Sequence, residues 1–183
     1  MNSRQEILLT GAGGQGLILA SIILAEAAVD DGKNVVQTQS YGPESRGGAS
    51  MAGVIIDIDN IEYPLVTRPG VLLAMSKASY QKYLPSVPPG KLVIVDSTFV
   101  DGPYSEQHKI IDLPITKITR EKLGRELVAN IVALAVVNAA ANLVKPAVLA
   151  DSILHKAPKG SEQLNLQALK LGGLLYNQWQ NGK

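Results

Sequence analysis

The sequence predicts an α/β fold built on a mostly parallel, Rossmann-like sheet, and three observations favour it. Short apolar runs alternate with helical patterns through the first half of the chain. The first of these runs leads directly into a glycine-rich turn and then into a long apolar helix pattern. The last third of the chain carries helical patterns almost throughout. We therefore expect a sheet with an inserted β-hairpin, flanked by helices, and a helical C-terminal third.

In the first half, apolar runs bounded by turn residues place each strand. The predicted elements are, in order, strand 6–10, helix 14–30, strand 34–38, strand 71–75 and strand 92–95. An insertion interrupts this order, since the runs 54–58 and 61–63 flank the turn-prone pair Asp59 and Asn60. This insertion predicts a β-hairpin, and hence a mixed sheet.

After residue 96 the pattern becomes helical, with prolines near the ends of the elements. We expect a strand over 110–113 and helices over 119–123, 126–144, 146–155 and 162–179. No internal repeat or low-complexity linker is visible in the sequence. Residues 1–183 are therefore predicted to form a single domain.

Composition excludes several classes of function. The chain has 183 residues, 46% of them hydrophobic, which suffices for one substantial core. Its net charge is +1, and no basic run marks a nucleic-acid or anionic membrane surface. It has no cysteine, which excludes disulfides, thiolate zinc sites and cysteine-ligated iron–sulfur clusters. Any redox metal is expected in another chain.

One uncharged run, 127–144, reaches the lower length limit of a membrane span. Asn130, Asn138 and Asn142 argue against a span, because unpaired amides are costly in hydrocarbon. We expect instead a helix buried in a larger assembly. No apolar signal segment precedes the first predicted strand, so the cytoplasm is the expected location.

The glycine-rich turn is the first candidate site. Its residues are Gly11, Gly13, Gly14, Gln15 and Gly16. Glycine tolerates positive φ and lets another molecule approach backbone N–H groups at a helix N-terminus. The spacing also fits a dinucleotide-binding pattern, but the next predicted strand ends in glutamines and lacks the carboxylate that would bind a ribose. NAD binding is therefore the less favoured interpretation.

The second candidate site follows the strand 34–38, at the carboxyl edge where open α/β sheets bind ligands. Its residues are Ser40, Tyr41, Gly42, Glu44, Arg46, Gly47 and Gly48. Arg46 offers a planar fork of donors for phosphate or carboxylate, and the two last glycines allow close approach. The alternative is a rigid surface loop in which Glu44 and Arg46 pair with each other.

Together these segments resemble the gamma subunit of 2-oxoacid:ferredoxin oxidoreductases. The resemblance covers most of the chain, and the segment SYGPESRGG over 40–48 is its most specific part. The other matching features are GAGGQG over 11–16, Ala20, residues 24–28, residues 73–76, residues 95–97, Gly124 and Asn130. The sequence departs from the family at Gly70, where the family often has an acidic residue.

This resemblance implies a subunit of a complex that converts a 2-oxoacid, coenzyme A and oxidised ferredoxin into acyl-CoA, carbon dioxide and reduced ferredoxin. It implies that thiamine diphosphate, magnesium and iron–sulfur clusters belong to alpha, beta and ferredoxin-like delta subunits. This chain would hold no cofactor alone and would not be active alone. It would position coenzyme A and close the active site, with 2-oxoglutarate favoured as the oxoacid on overall similarity.

Three alternatives remain at this stage: a stand-alone Rossmann enzyme that binds a nucleotide, a purely structural subunit, and a pyruvate- or indolepyruvate-type subunit of the same family. A homo-oligomer is expected when the chain is isolated.

Several other polar residues are assigned no catalytic role. His108 and His155 stand apart from any carboxylate at metal-like spacing. Asp96 and Ser97 could orient a ligand or form a turn. Trp179 is expected to make a core contact rather than to anchor a partner.

Overall fold

The fold is known from a computed structural model that describes residues 4–40 and 49–182. Its strands are β1 (Gln5–Ala12), β2 (Asn34–Gln39), β3 (Ala49–Asp57), β4 (Val71–Ala74), β5 (Leu92–Asp96) and β6 (Lys109–Leu113). Its α-helices are α1 (Leu17–Asp30), α2 (Lys77–Tyr83), α3 (Ile115–Leu123), α4 (Ala129–Ala141), α5 (Pro146–Lys156) and α6 (Glu162–Asn181). Two 3-10 turns, Leu84–Ser86 and Glu126–Val128, complete the regular structure of the described residues.

The six strands form one sheet in the order β2-β3-β1-β4-β5-β6. β1, β4, β5 and β6 pair in parallel, whereas β3 is antiparallel to both β1 and β2. β2 therefore runs in the same direction as β1. The predicted fold class, a mostly parallel α/β sheet with a helical C-terminal third, is confirmed.

The position of the antiparallel strand differs from the sequence prediction. Residues 61–63 form no strand, and the partner of β3 is β2, which precedes it. The reason lies in the segment after β3, which is held to the sheet by side chains. The Glu6 carboxylate accepts hydrogen bonds from the backbone N–H groups of Thr67 at 2.8 Å and Arg68 at 3.0 Å, and Val66 lies against Gly53. The predicted hairpin around Asp59 and Asn60 is thus wrong.

Three helices differ from the sequence prediction. α2 was not predicted; it is short and polar, and it begins where the Ser76 hydroxyl accepts a hydrogen bond from Ser79 N–H at 3.2 Å. α3 begins at Ile115, four residues before the predicted start. α4 is shorter than the predicted helix 126–144, because a 3-10 turn precedes it and Asn142 ends it in the left-handed conformation at φ 51°.

The core has two layers, one on each face of the sheet, as the two-residue period of strands requires. Ile7, Leu9 and Leu73 face the helical layer that contains α1 and α4. Leu8 and Leu72 face the opposite layer, which α2 and the loops around it supply. In the part of the chain that the structure describes, no helix has the length and apolar character needed to cross a membrane.

Candidate functional site

The glycine turn lies between the carboxyl end of β1 and the start of α1, where its central residues face solvent. Gly13 and Gly14 are exposed, and Gly14 adopts φ 87°. A Cβ atom built on Gly14 would meet none of the described atoms within 4 Å. Among the described residues, the space beside Gly14 is therefore unfilled; that another molecule binds there stays a prediction.

Gln15 ties the turn to the neighbouring strand. Its Oε1 accepts a hydrogen bond from Ala12 N–H at 2.7 Å, and its Nε2 donates to the Met75 carbonyl at 3.0 Å. Gly11 makes room for this side chain, because a Cβ there would lie 2.3 Å from Gln15 Oε1. Gln15 and Gly11 thus hold the shape of the turn, while Gly13 and Gly14 present its free face.

Gly16 is fixed from the other side by α4. It adopts φ 72° at the N-cap of α1, and its carbonyl accepts hydrogen bonds from Ala20 N–H at 3.1 Å and from Asn130 Nδ2 at 3.1 Å. A Cβ on Gly16 would lie 2.6 Å from Asn130 Nδ2. Asn130 is 5% exposed, and its Oδ1 accepts from Ile131 N–H at 2.9 Å. Sequence reasoning left the role of Asn130 open, and the structure places it beside the turn.

The second candidate segment begins and ends at the same edge of the sheet. Ser40 is exposed just beyond β2, and its N–H donates to the Met51 carbonyl at 3.1 Å. The returning strand places Ala49 opposite Ala12, and Ser50 Oγ donates to the Gly11 carbonyl at 3.2 Å. The end at Ala49 therefore lies beside the β1 end that carries the glycine turn, and the end at Ser40 lies at the same edge of the sheet with β3 between it and β1. The remaining candidates, Tyr41, Gly42, Glu44, Arg46, Gly47 and Gly48, lie outside the described residues.

A cleft of about 250 Å³ opens next to the glycine turn at the carboxyl ends of β1, β4 and β5. Gly14, Gln15 and Met75 line its wall nearest the turn, and Phe99 and Leu127 line it further out. Phe99 is 45% exposed and Leu127 is 80% exposed. Sequence reasoning missed both lining residues. Phe99 could have been found, because it closely follows the end of a predicted strand, whereas Leu127 gave no local signal.

Asp96, at the end of β5, acts as a turn acceptor. It is fully buried, and its Oδ1 accepts from Thr98 N–H at 3.0 Å. Its Oδ2 accepts from the N–H of Thr116 at 3.1 Å and from the hydroxyl of the same residue. Of the two interpretations left open by the sequence, the turn accounts for the Thr98 bond, and the two Thr116 bonds hold the start of α3.

The two histidines make structural contacts. His108 is bonded through Nδ1 to Ser105 Oγ at 2.7 Å and through Nε2 to the Val87 carbonyl at 3.0 Å. His155 is hydrogen-bonded through Nδ1 to Glu26, which also forms an ion pair with Lys156 at 2.7 Å. The hydrogen bond from Lys156 is the main cause that holds the pKa of Glu26 below its usual value. Among the described residues no cluster of carboxylates and histidines could hold a metal ion.

Asp31, a carboxylate close before the second strand, lies away from the glycine turn. Asp31 follows the last residue of α1, at the opposite end of that helix from Gly16, and pairs with Lys33 at 2.9 Å and Lys145 at 3.1 Å. Hydrogen bonds from these two lysines hold its pKa below the usual value. This placement adds to the case against a dinucleotide site of the NAD type.

Trp179 lies in α6, where it stacks on Tyr176 with ring centroids 6.2 Å apart and packs against the main core. The predicted core contact of Trp179 is confirmed.

Gly70, where the sequence departs from the resembled family, supplies backbone bonds that join strands. Its N–H donates to the Glu6 carbonyl at 2.8 Å, and its carbonyl accepts from Leu92 N–H at 3.2 Å.

Three comparisons with known proteins agree on the family. The model of the family described as pyruvate ferredoxin/flavodoxin oxidoreductase matches residues 6–174. The chain is 41% identical over 172 residues to 2-oxoglutarate synthase subunit KorC of Methanocaldococcus jannaschii, and this alignment covers 92% of each chain. It is also similar to the crystal structure of the keto/oxoacid ferredoxin oxidoreductase gamma subunit of Geobacter sulfurreducens, with TM-score 0.88, 38% identity, and 96% and 97% of the two chains covered.

A more distant structure shares the fold. This is a 2-oxoglutarate:ferredoxin oxidoreductase of Magnetococcus marinus, determined with 2-oxoglutarate, coenzyme A and succinyl-CoA bound. The TM-score is 0.86 at 21% identity, and the match covers 97% of this chain and 32% of the longer one. The family match over 6–174, the sequence relative at 41% identity and the solved structure at 38% identity lead to one conclusion: the chain belongs to the pyruvate ferredoxin/flavodoxin oxidoreductase family and is a gamma subunit of the 2-oxoacid:ferredoxin oxidoreductase type.

Proposed function

We propose that this gamma subunit positions coenzyme A and helps to close the active site of a complex that oxidatively decarboxylates a 2-oxoacid. The observation that carries the proposal is that both described ends of the second segment lie at the sheet edge that carries the glycine turn. Gly13 and Gly14 are exposed at this edge, Ala49 pairs with Ala12 next to them, and Ser40 follows β2 one strand further away. The bound coenzyme A named for the Magnetococcus marinus protein supports the same assignment.

The chemistry is divided between this subunit and its partners. In the proposed complex, thiamine diphosphate with magnesium supplies the electron sink for decarboxylation, and iron–sulfur clusters carry single electrons to ferredoxin. This chain has no cysteine and so offers no thiolate ligand for a cluster. We assign these groups to alpha, beta and ferredoxin-like delta subunits, and we expect no activity from the gamma subunit alone.

The contribution of this chain is positioning and exclusion of water. Backbone N–H groups at the glycine turn and the start of α1 suit the diphosphate of coenzyme A. Arg46 would add a two-pronged contact to a phosphate. Holding two reactants in productive geometry can lower a barrier by about 7 to 11 kcal/mol, so a subunit without redox groups can still govern the rate. The exposed Phe99 and Leu127 at the same edge suit contact with a partner subunit.

We infer that the oxoacid is 2-oxoglutarate. The support is the name of the 41% identical relative, 2-oxoglutarate synthase subunit KorC. A pyruvate- or indolepyruvate-type role is the alternative, because the groups that bind the oxoacid carboxylate are expected in the thiamine subunits. Assay of the assembled complex with each of the three oxoacids distinguishes these roles.

The proposal is tested by Arg46→Ala in the assembled complex, with oxoacid-dependent viologen reduction followed as coenzyme A is titrated. Loss of a charge-assisted contact worth about 1.5 to 3 kcal/mol should raise the KM for coenzyme A by roughly 10- to 100-fold. The iron–sulfur absorption spectrum should stay unchanged. The matched control is Arg68→Ala, since Arg68 is an exposed arginine in a cleft at the opposite edge of the sheet.

Two outcomes would contradict the proposal. An unaltered coenzyme A dependence in Arg46→Ala removes Arg46 from the site, and full coenzyme A-dependent turnover without this subunit overturns the function itself. A photoreactive coenzyme A analogue should label this subunit in the complex, whereas a purely structural subunit stays unlabelled. Calorimetric titration of the isolated chain with NAD should give no binding, whereas the stand-alone nucleotide-binding alternative requires it.

A further inference from the structure

Two amide side chains, those of the half-buried Gln15 and the buried Asn130, hold the glycine turn. Gln15 joins the turn to the end of β4 through bonds to Ala12 N–H and the Met75 carbonyl. Asn130 joins it to α4 through the bond from Nδ2 to the Gly16 carbonyl. None of these bonds involves Gly13 or Gly14, which are exposed among the described residues. Gln15 and Asn130 thus hold the turn through Ala12, Met75 and Gly16, and leave Gly13 and Gly14 without a side-chain contact from either amide.

Asn130 bonds two helix starts at once. Its Nδ2 donates to the carbonyl of Gly16, the N-cap of α1, and its Oδ1 accepts from Ile131 N–H in the first turn of α4. Gly16 and Asn130 are 114 residues apart in sequence. The amide therefore fixes where α1 begins relative to α4, and with it the direction of the N–H groups at the start of α1.

We infer that Asn130 is a positioning residue for coenzyme A, acting through Gly16 and the glycine turn rather than by touching the ligand. This inference rests on the proposed function and adds a residue to it. Its physical basis is preorganisation, because backbone donors held in place before binding cost no ordering when the ligand arrives. Without the Asn130 bond the turn is free to relax, and the free energy needed to order it again should weaken the binding of coenzyme A.

The chain offers a matched control on the same helix. Asn138 lies two helical turns further along α4, is equally buried, and also makes two backbone bonds, from Nδ2 to the Val144 carbonyl at 3.1 Å and from Val144 N–H to Oδ1 at 3.0 Å. These bonds hold the end of α4, away from the glycine turn. Asn138→Ala therefore loses the same chemistry without touching the turn.

The test compares Asn130→Ala and Asn138→Ala in the assembled complex, with thermal midpoints and steady-state kinetics measured for each. Both variants should lower the thermal midpoint by similar amounts, since each loses two buried hydrogen bonds. Asn130→Ala should raise the KM for coenzyme A about tenfold, which corresponds to about 1.4 kcal/mol, and should leave the KM for the oxoacid unchanged. Asn138→Ala should leave both KM values unchanged.

Equal coenzyme A KM values in the two variants would overturn the inference and leave Asn130 with a structural role. If Asn130→Ala fails to assemble, Asn130→Asp serves instead, because it keeps the size of the side chain and replaces the donor with an acceptor facing the Gly16 carbonyl. The Arg46→Ala result separates the two proposals. A raised KM in Arg46→Ala with none in the Asn130 variants rejects only this inference, whereas no change in any of them rejects the proposed function.

Discussion

Gly14 and Gly16, two residues apart in one turn, use the absence of a side chain for different purposes. Both have positive φ, at 87° and 72°. Gly14 faces open space among the described residues, whereas Gly16 lies against the Asn130 amide. The first glycine therefore serves access and the second serves packing. A sequence pattern that treats them as equivalent misses this division.

At this scale we predict unequal costs for two alanine substitutions. Gly14→Ala should lower the free energy of unfolding by about 1 to 2 kcal/mol, the cost of a left-handed conformation alone. Gly16→Ala carries the same cost and also forces Asn130 aside, so it should lose about 2 to 4 kcal/mol. Urea unfolding of the isolated chain measures both. Equal losses would show that the Asn130 contact adds nothing.

At the scale of elements, the packing of α6 on α4 depends on one of two adjacent glycines. A Cβ on Gly172 would lie 2.4 Å from the Val132 carbonyl oxygen and 2.5 Å from Ala135 Cβ. A Cβ on Gly173 would meet none of the described atoms within 4 Å. Gly172 thus lets the two helices approach closely, while Gly173 is a helix position that lacks a side chain.

The substitutions Gly172→Ala and Gly173→Ala should therefore change stability in opposite directions. Gly172→Ala must push the helices apart against backbone, and should lower the free energy of unfolding by about 1 to 3 kcal/mol or more. Gly173→Ala should raise it by up to about 1 kcal/mol, because alanine favours the helix. Chemical unfolding followed by circular dichroism gives both values. A destabilised Gly173→Ala variant would contradict the assigned packing.

At the scale of the whole molecule, Glu6 joins β1 to the loop that precedes β4. Burial acts to raise the pKa of its carboxyl, but hydrogen bonds from Arg68 N–H, Arg4 and Thr67 N–H outweigh it and bring the pKa below 4.5. Since the native pKa is below the unfolded value, the stabilisation is fully present above about pH 4.5 and is lost as pH falls through the native pKa.

Residues 1–183 stay a predicted single domain, for which one cooperative unfolding transition is expected.

Acid should therefore destabilise the protein partly through Glu6. We predict a free energy of unfolding that is nearly constant from pH 8 to pH 6, as far as this group contributes, and that falls below about pH 4.5. Glu6→Gln should be less stable than the native chain at neutral pH and should show a smaller fall in acid. The exposed Glu106→Gln is the control. An acid dependence in Glu6→Gln equal to that of the native chain would contradict this role.

The sequence by itself determined the features that depend on local patterns. Alternating apolar runs gave the parallel strands, and the glycines between the first strand and helix gave the turn, because strand periodicity and positive φ act over a few residues. The resemblance carried by 11–16 and 40–48 gave the family. Local pattern also misled, since Asp59 and Asn60 suit a hairpin that does not form.

Only the tertiary structure decided how the site is held. It placed β3 between β2 and β1, so that Ser50 bonds the Gly11 carbonyl across 39 residues of sequence. It placed Asn130 against Gly16 across 114 residues, and brought Phe99 and Leu127 to one cleft. These contacts depend on sheet order and helix packing, which no local run of residues encodes, and they determine which glycines of the turn are exposed and which pack against other side chains.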